Sequence, residues 1–215
     1  SRRVADLTVW LRRRACSQPR HVVIDATGCK VYGEGEWTVC QHGASRRRIW
    51  RKLHLAVDAD SHAVVAAEST AAFVGDAEVL PDLLAQRPAE IIATVAADGA
   101  DDTQACHQAL LERRAAALIP PRAEAVAWPP LAEGPLHPRT ATQDAIQQYG
   151  RTRWKQLSGY HPRSLAETTM FRLKRLFGGH LKNHRFDPQT TEANARLAAL
   201  NIMTRLGMLE TVLVS

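Results

Sequence analysis

Two short apolar runs, each closed by an aspartate, constrain this chain more than any other feature of its 215 residues. They are His21-Val22-Val23-Ile24-Asp25 and Ile91 to Ala97 followed by Asp98. Neither alternates, and a strand reads as a continuous apolar run when both of its faces are covered, as in the middle of an α/β sheet. Between them, Ile49 to Asp58 partly alternates through Leu53, Leu55 and Val57, and Ala63 to Ala67 is a second β-forming stretch. A turn at Asp60-Ser61 would join these two into a meander. Asp76 to Leu84 sets Val79, Leu80, Leu83 and Leu84 on one helical stripe. Asp102 or Thr103 can cap a helix running to about Arg114, and Ala117 to Ile119 is a short strand stopped by Pro120-Pro121. The expected order is therefore βββαβαβ.

The glycines Gly28, Gly33 and Gly35 suggest a turn region after the first strand. Six prolines (Pro120, Pro121, Pro129, Pro130, Pro135 and Pro138) crowd the stretch 120–150, which reads as a loop-like insertion. A helix is expected to open near Pro162 and end at Phe177, before Gly178-Gly179. A last helix, from about Thr191 to Leu206, would bury Ala199, Ile202, Met203 and Leu206. Covering both faces of such a sheet with crossover helices favours an α/β fold of the ribonuclease-H-like kind, a mixed sheet flanked by helices. Residues 1–20 form a basic lead-in and 21–215 one domain, with the insertion before the last two helices.

Apolar residues make up 45% of the chain, enough for one substantial core, and no run approaches the length of a membrane span. The four cysteines, Cys16, Cys29, Cys40 and Cys106, have no C-x-x-C spacing, which argues against a zinc ribbon or disulfide scaffold and suits a reducing, cytoplasmic setting. None of the nine histidines is read as a metal ligand. A net charge of +6 favours a polyanionic partner.

The two strand-end acids are where chemistry can begin. In the expected sheet the first and fourth strands are parallel neighbours about 4.8 Å apart, so Asp25 and Asp98 could reach one site. Each alone could equally start a turn. Glu167 is the third candidate. On a helix opening at Pro162 it shares a face with Arg163 and Lys174, all within about 40° at 100° per residue, a pattern that a solvated, ion-paired face would also produce.

The spacing Y-x2-R-x3-E-x6-K, formed by Tyr160, Arg163, Glu167 and Lys174, resembles the signature around the third acid of bacterial DDE transposases. Ile24 to Gly28, Lys30 to Trp37 (KVYGEGEW), Trp50 to Asp58 (WRKLHLAVD) and Ser158 to Phe171 (SGYHPRSLAETTMF) resemble, in the same order, members of insertion-sequence family five. One position departs: Asp101 stands where the family has tyrosine, adding a negative charge near the second acid.

The resemblance implies a metal-dependent enzyme that cleaves DNA and joins the freed 3′-hydroxyl to a target, with Asp25, Asp98 and Glu167 as catalytic metal ligands. Hard carboxylate oxygens suit Mg²⁺ or Mn²⁺, and two ions would serve an in-line displacement. Arg163 and Lys174 would hold phosphates or orient Glu167, and Tyr160 would touch the backbone or simply pack. Expected DNA contacts also include Arg46, Arg47, Arg48, Arg51 and Lys52 and, further on, Arg172, Arg175, Lys182 and Arg185. Trp37 and Trp50 could stack on bases or fill core. The expected partners are double-stranded DNA, at element ends and target, and further copies of the chain as a homodimer or higher oligomer. The lead-in would be the remnant of an upstream DNA-binding region. The rival readings are a domesticated, non-catalytic DNA-binding fragment and a ribonuclease-H-like nuclease of repair or RNA processing.

Overall fold

The computed structural model describes residues 9, 11, 18–31, 50–122, 124–129 and 137–207. Gly33, Gly35, Trp37, Arg46, Arg47, Arg48, Cys16, Cys40 and most of the basic lead-in lie outside these residues. In chain order the described elements are β1 (Arg20–Val31), β2 (Trp50–Asp58), β3 (Val64–Ala71), α1 (Asp76–Ala85), β4 (Ile92–Ala96), α2 (Gln104–Glu112) and β5 (Ala116–Leu118). Then come α3 (Pro138–Tyr149), α4 (Arg151–Leu157), α5 (Ser164–Phe177), β6 (His180–Leu181) and α6 (Phe186–Gly207), with 3₁₀ turns at Gly99–Asp101 and His161–Arg163.

The sheet order is β3-β2-β1-β4-β5, with β6 pairing β1. β1, β2 and β3 are antiparallel neighbours, whereas β4 runs parallel to β1 and β5 parallel to β4. This is the mixed α/β architecture expected, and the continuous apolar runs arise because both sheet faces are covered. Val22, Ile24, Ala56, Val95 and Ala97 pack under Val79, Leu80, Leu83 and Leu84 of α1 and Cys106 and Leu110 of α2. On the other face Val23, Leu53, Leu55, Val57 and Ala96 meet Trp154, Ala166, Met170, Leu173, Leu197 and Leu200. Leu55 is 0% exposed in this second layer, so cutting it to alanine should cost about 2–5 kcal/mol. Cys29 and Cys106 are free, buried thiols, and no described helix is long and apolar enough to cross a membrane.

Three sequence expectations change. Gly28 lies inside β1 rather than in a turn, and its lack of a side chain admits the Trp50 ring: a Cβ there would meet Trp50 Cε3 at 3.2 Å. The stretch 120–150 is not loop throughout, because α3 fills its second half. Pro138 occupies the first turn of that helix, where a missing N–H breaks no hydrogen bond, and His137 caps it by accepting from the Arg139 N–H. The last helix begins at Phe186, five residues earlier than expected, with Pro188 tolerated in its first turn for the same reason. Its buried stripe is Ala193, Leu197, Leu200 and Thr204, while Ile202, Met203 and Leu206 are exposed. Choosing that face requires knowing where β2 and β3 lie, which helical periodicity alone does not tell.

Candidate active site

β1 and β4 pair in parallel with Val23 opposite Ala96. Asp25 and Asp98 each lie two residues further on, at matching positions. Side chains alternate along a strand, so both share the face of Val23 and Ala96, which α5 covers. Asp98 keeps an extended backbone, φ −87° and ψ 178°, as the cap of the Gly99–Asp101 turn. Along the same edge, β4 pairs β1 at 20–23 and β6 pairs it at 30–31. Among the described residues no strand pairs 24–29 on that edge, so Asp25 sits in the opening beyond the carboxyl end of β4. The chain crosses from the β1-β2-β3 side to β4 here, the switch point at which open α/β sheets place their sites.

α5 brings the third acid. Its buried residues Ala166, Thr169, Met170 and Leu173 hold it against the sheet, leaving Glu167 exposed in the first turn, where a negative charge favours the helix dipole. Arg163, in the turn just before α5, joins the acids. Its Nη1 donates to Glu167 Oε1 at 2.9 Å, and its Nη2 lies 3.6 Å from Asp25 Oδ1 and 3.5 Å from Asp98 Oδ2. One guanidinium therefore contacts all three predicted acids.

Their environments differ. Burial raises the Asp25 pKa, opposed by the Ala26 N–H bonded at 2.9 Å and by the charge of Arg163. Asp98 is more open and accepts from the Ala100 N–H at 2.7 Å. Burial works against the charge on Arg163, but Tyr160, Asp25, Asp98 and Glu167 outweigh it and hold its pKa above the ordinary arginine value. Three hard carboxylates sharing one counter-charge fit a divalent cation in donor chemistry. Among the described residues, no three Asp, Glu, His or Cys side chains are already grouped closely enough to hold one.

The expected DNA contacts fall into two sets. Lys174, Arg175, Lys182 and Arg185 are exposed and Arg172 is half-buried, all on or just after α5. Arg51 and Lys52 are engaged internally: Arg51 Nε donates to Gln189 Oε1 at 2.7 Å and lies over Phe186, while Lys52 pairs with Asp76 at 2.8 Å. Tyr160 is buried, its ring 5.6 Å from that of Trp154. Packing, the alternative left open for it, is what the ring does. Trp50 is 39% exposed with Lys30 Nζ 5.5 Å from its ring centroid.

Asp101 is buried beside the acid site, and its charge is coupled to those of Asp98 and Asp25. It is 3% exposed, and burial, then Asp98 and Asp76, push its pKa up to about 7. Beside it lies a cluster that sequence reasoning missed. Arg139 grips buried Asp102 with Nε at 2.6 Å and Nη2 at 2.8 Å, and His107 also contacts Asp102 at 3.2 Å. The Trp128 ring takes the Arg139 guanidinium at 4.1 Å and packs edge-on against His107 and His137, each at 5.0 Å. Arg122 donates to the carbonyls of Gly99 at 3.1 Å and Ala100 at 3.2 Å. The proline-rich stretch thus fastens the loop that carries Asp98. Nothing in the spacing of Arg122, Trp128 and Arg139 signals this, because Asp102, the partner of Arg122 and Arg139, lies on the far side of α2 and β5 in the chain.

No solved structure matches the chain. A family model described as the transposase DDE domain matches residues 17–202, which span every described strand and most of α6. That is well over half of the 215 residues, and the chain belongs to the DDE transposase family.

Proposed function

We propose that this domain cleaves DNA strands and joins a freed 3′-hydroxyl to target DNA, as a member of insertion-sequence family five. The observation that carries the reading is the meeting of Asp25, Asp98 and Glu167 on one guanidinium beyond the end of β4. Asp25, Asp98 and Glu167 would hold divalent metal, Mg²⁺ or Mn²⁺, in a pair of sites. Such ions, when bound, supply Lewis acidity to the attacking and leaving oxygens.

The chain's own residues do the rest. Arg163 keeps three like charges together and offers its fork to a phosphate as that charge is taken over. Lys174, two helical turns beyond Glu167, receives a neighbouring phosphate as a point charge. Arg175, Lys182 and Arg185 extend the track, and Arg172 supports it. These contacts fix register without reading bases. A second copy of the chain on the same DNA is part of this reading.

The test incubates the protein with Mg²⁺ and short mixed-sequence duplexes and resolves the products. Nicked strands bearing 3′-hydroxyls, together with joined molecules, are expected. Intact duplexes at every divalent-ion concentration, with the protein folded, would overturn the reading.

A further inference from the structure

Phe171 is 68% exposed, an unusual place for a phenyl ring. It follows Glu167 by four residues and precedes Lys174 by three, so at 100° per residue the three lie within about 60° on one stripe of α5. A separate stripe, through Ala166, Thr169, Met170 and Leu173 and centred about 120° round the helix, is the one that packs on the sheet. Cations flank the ring: Arg172 follows it directly, and Lys174 and Arg175 lie one turn on.

Distances along the helix sharpen this. Four residues advance about 6 Å, between one and two nucleotides at 3.4 Å each along a strand. A strand with one phosphate beside the acids and a later one at Lys174 therefore runs past Phe171, where an unstacked base can reach the ring. The neighbouring charges suit a polyanion, and the ring offers a π-face to the base between them.

We infer that Phe171 is a base-stacking residue, receiving an unstacked base one or two nucleotides from the phosphate that Arg163 takes beside Asp25, Asp98 and Glu167, so that the site takes locally opened DNA. This rests on the DNA-cleaving reading above. It adds a stated substrate conformation and a residue that selects it.

The experiment uses two short duplexes of one mixed sequence with Ca²⁺ as the sole divalent ion, so that the carboxylates can take a cation while binding is read. One is fully paired, and the other has a single unpaired 2-aminopurine. The wild type should bind the opened duplex about ten-fold more tightly and quench the 2-aminopurine. Phe171→Ala should lose both the preference and the quench, whereas Phe171→Trp should keep both. Circular dichroism should be the same for all three proteins, because the ring is exposed. If the wild type binds both duplexes equally and without quenching, or if Phe171→Ala keeps the wild-type preference and quench, the stacking assignment is overturned while the cleavage reading stands. If the wild type binds neither duplex, both fall together.

Discussion

Asp101 makes the stability of this domain depend on pH in a direction opposite to that of most acids. Its carboxyl is 3% exposed and its pKa rises from the ordinary 3.8 to about 7, chiefly through burial and then through Asp98 and Asp76. A folded-state pKa raised above the unfolded one means that the native state binds the proton more tightly. The contribution is fully present below pH 3.8 and is lost as the pH climbs through 7. At 1.36 kcal/mol per pH unit, the interval corresponds to about 4 kcal/mol. Replacing Asp101 with asparagine keeps the shape and removes the charge. We expect Asp101→Asn and wild type to unfold at nearly the same urea concentration at pH 4. At pH 8 the variant should be more stable by up to about 4 kcal/mol, or roughly 10 °C in Tm for a domain of this size. Comparing the two proteins at each pH cancels the titrating groups that do not interact with Asp101, and leaves its own contribution together with its coupling to Asp98, Asp76 and Asp25. An equal difference at pH 4 and pH 8 would refute the reasoning.

Other expectations follow from the same loop and from α5. Arg139→Ala would leave the buried Asp102 carboxylate without its two-pronged ion-pair partner, held only by His107 and the Arg122 N–H, and should destabilise the domain by about 3 kcal/mol at neutral pH, measured by urea unfolding; joint replacement with Asp102→Asn should recover part of the loss. Arg139 and His107 hold the Asp102 carboxyl well below the usual carboxylate range against the opposing effect of burial. Its contribution is therefore present above the ordinary value and lost as pH falls towards the folded one, the reverse of Asp101. Lys174→Ala should weaken DNA binding about equally for unrelated duplexes and make the log–log salt slope shallower by about 0.9, with Tm unchanged. A loss confined to one sequence would contradict a phosphate role.

The legibility of the fold and site follows physical range. Continuous apolar runs marked β1 and β4 because burial on both faces leaves a local record, and Asp25 and Asp98 were readable as strand ends for the same reason. Glu167 and Arg163 were visible through helical spacing. What the chain did not disclose locally was pairing at a distance. Lys52 and Arg51 looked like free cations until Asp76 and Gln189 arrived beside them from α1 and α6. The burial of Asp101 and the grip of Arg139 on Asp102 likewise depend on how the proline-rich stretch folds back. The face of α6 that meets the sheet is also set by its neighbours, since helical periodicity alone does not tell which side is buried.

The most direct measurement of the central claim is single-turnover strand cleavage in Mg²⁺ by the wild type, Asp25→Asn, Asp98→Asn, Glu167→Gln and the triple variant, with DNA affinity measured alongside. Each amide keeps its side chain's size and loses the charge that a divalent ion needs. If the three acids act as one unit, each single substitution should lower the cleavage rate by at least about a hundred-fold, and the triple should fall little further. Affinity should stay within a few-fold of wild type. Cleavage at close to the wild-type rate by any one of the three single variants would contradict the assignment.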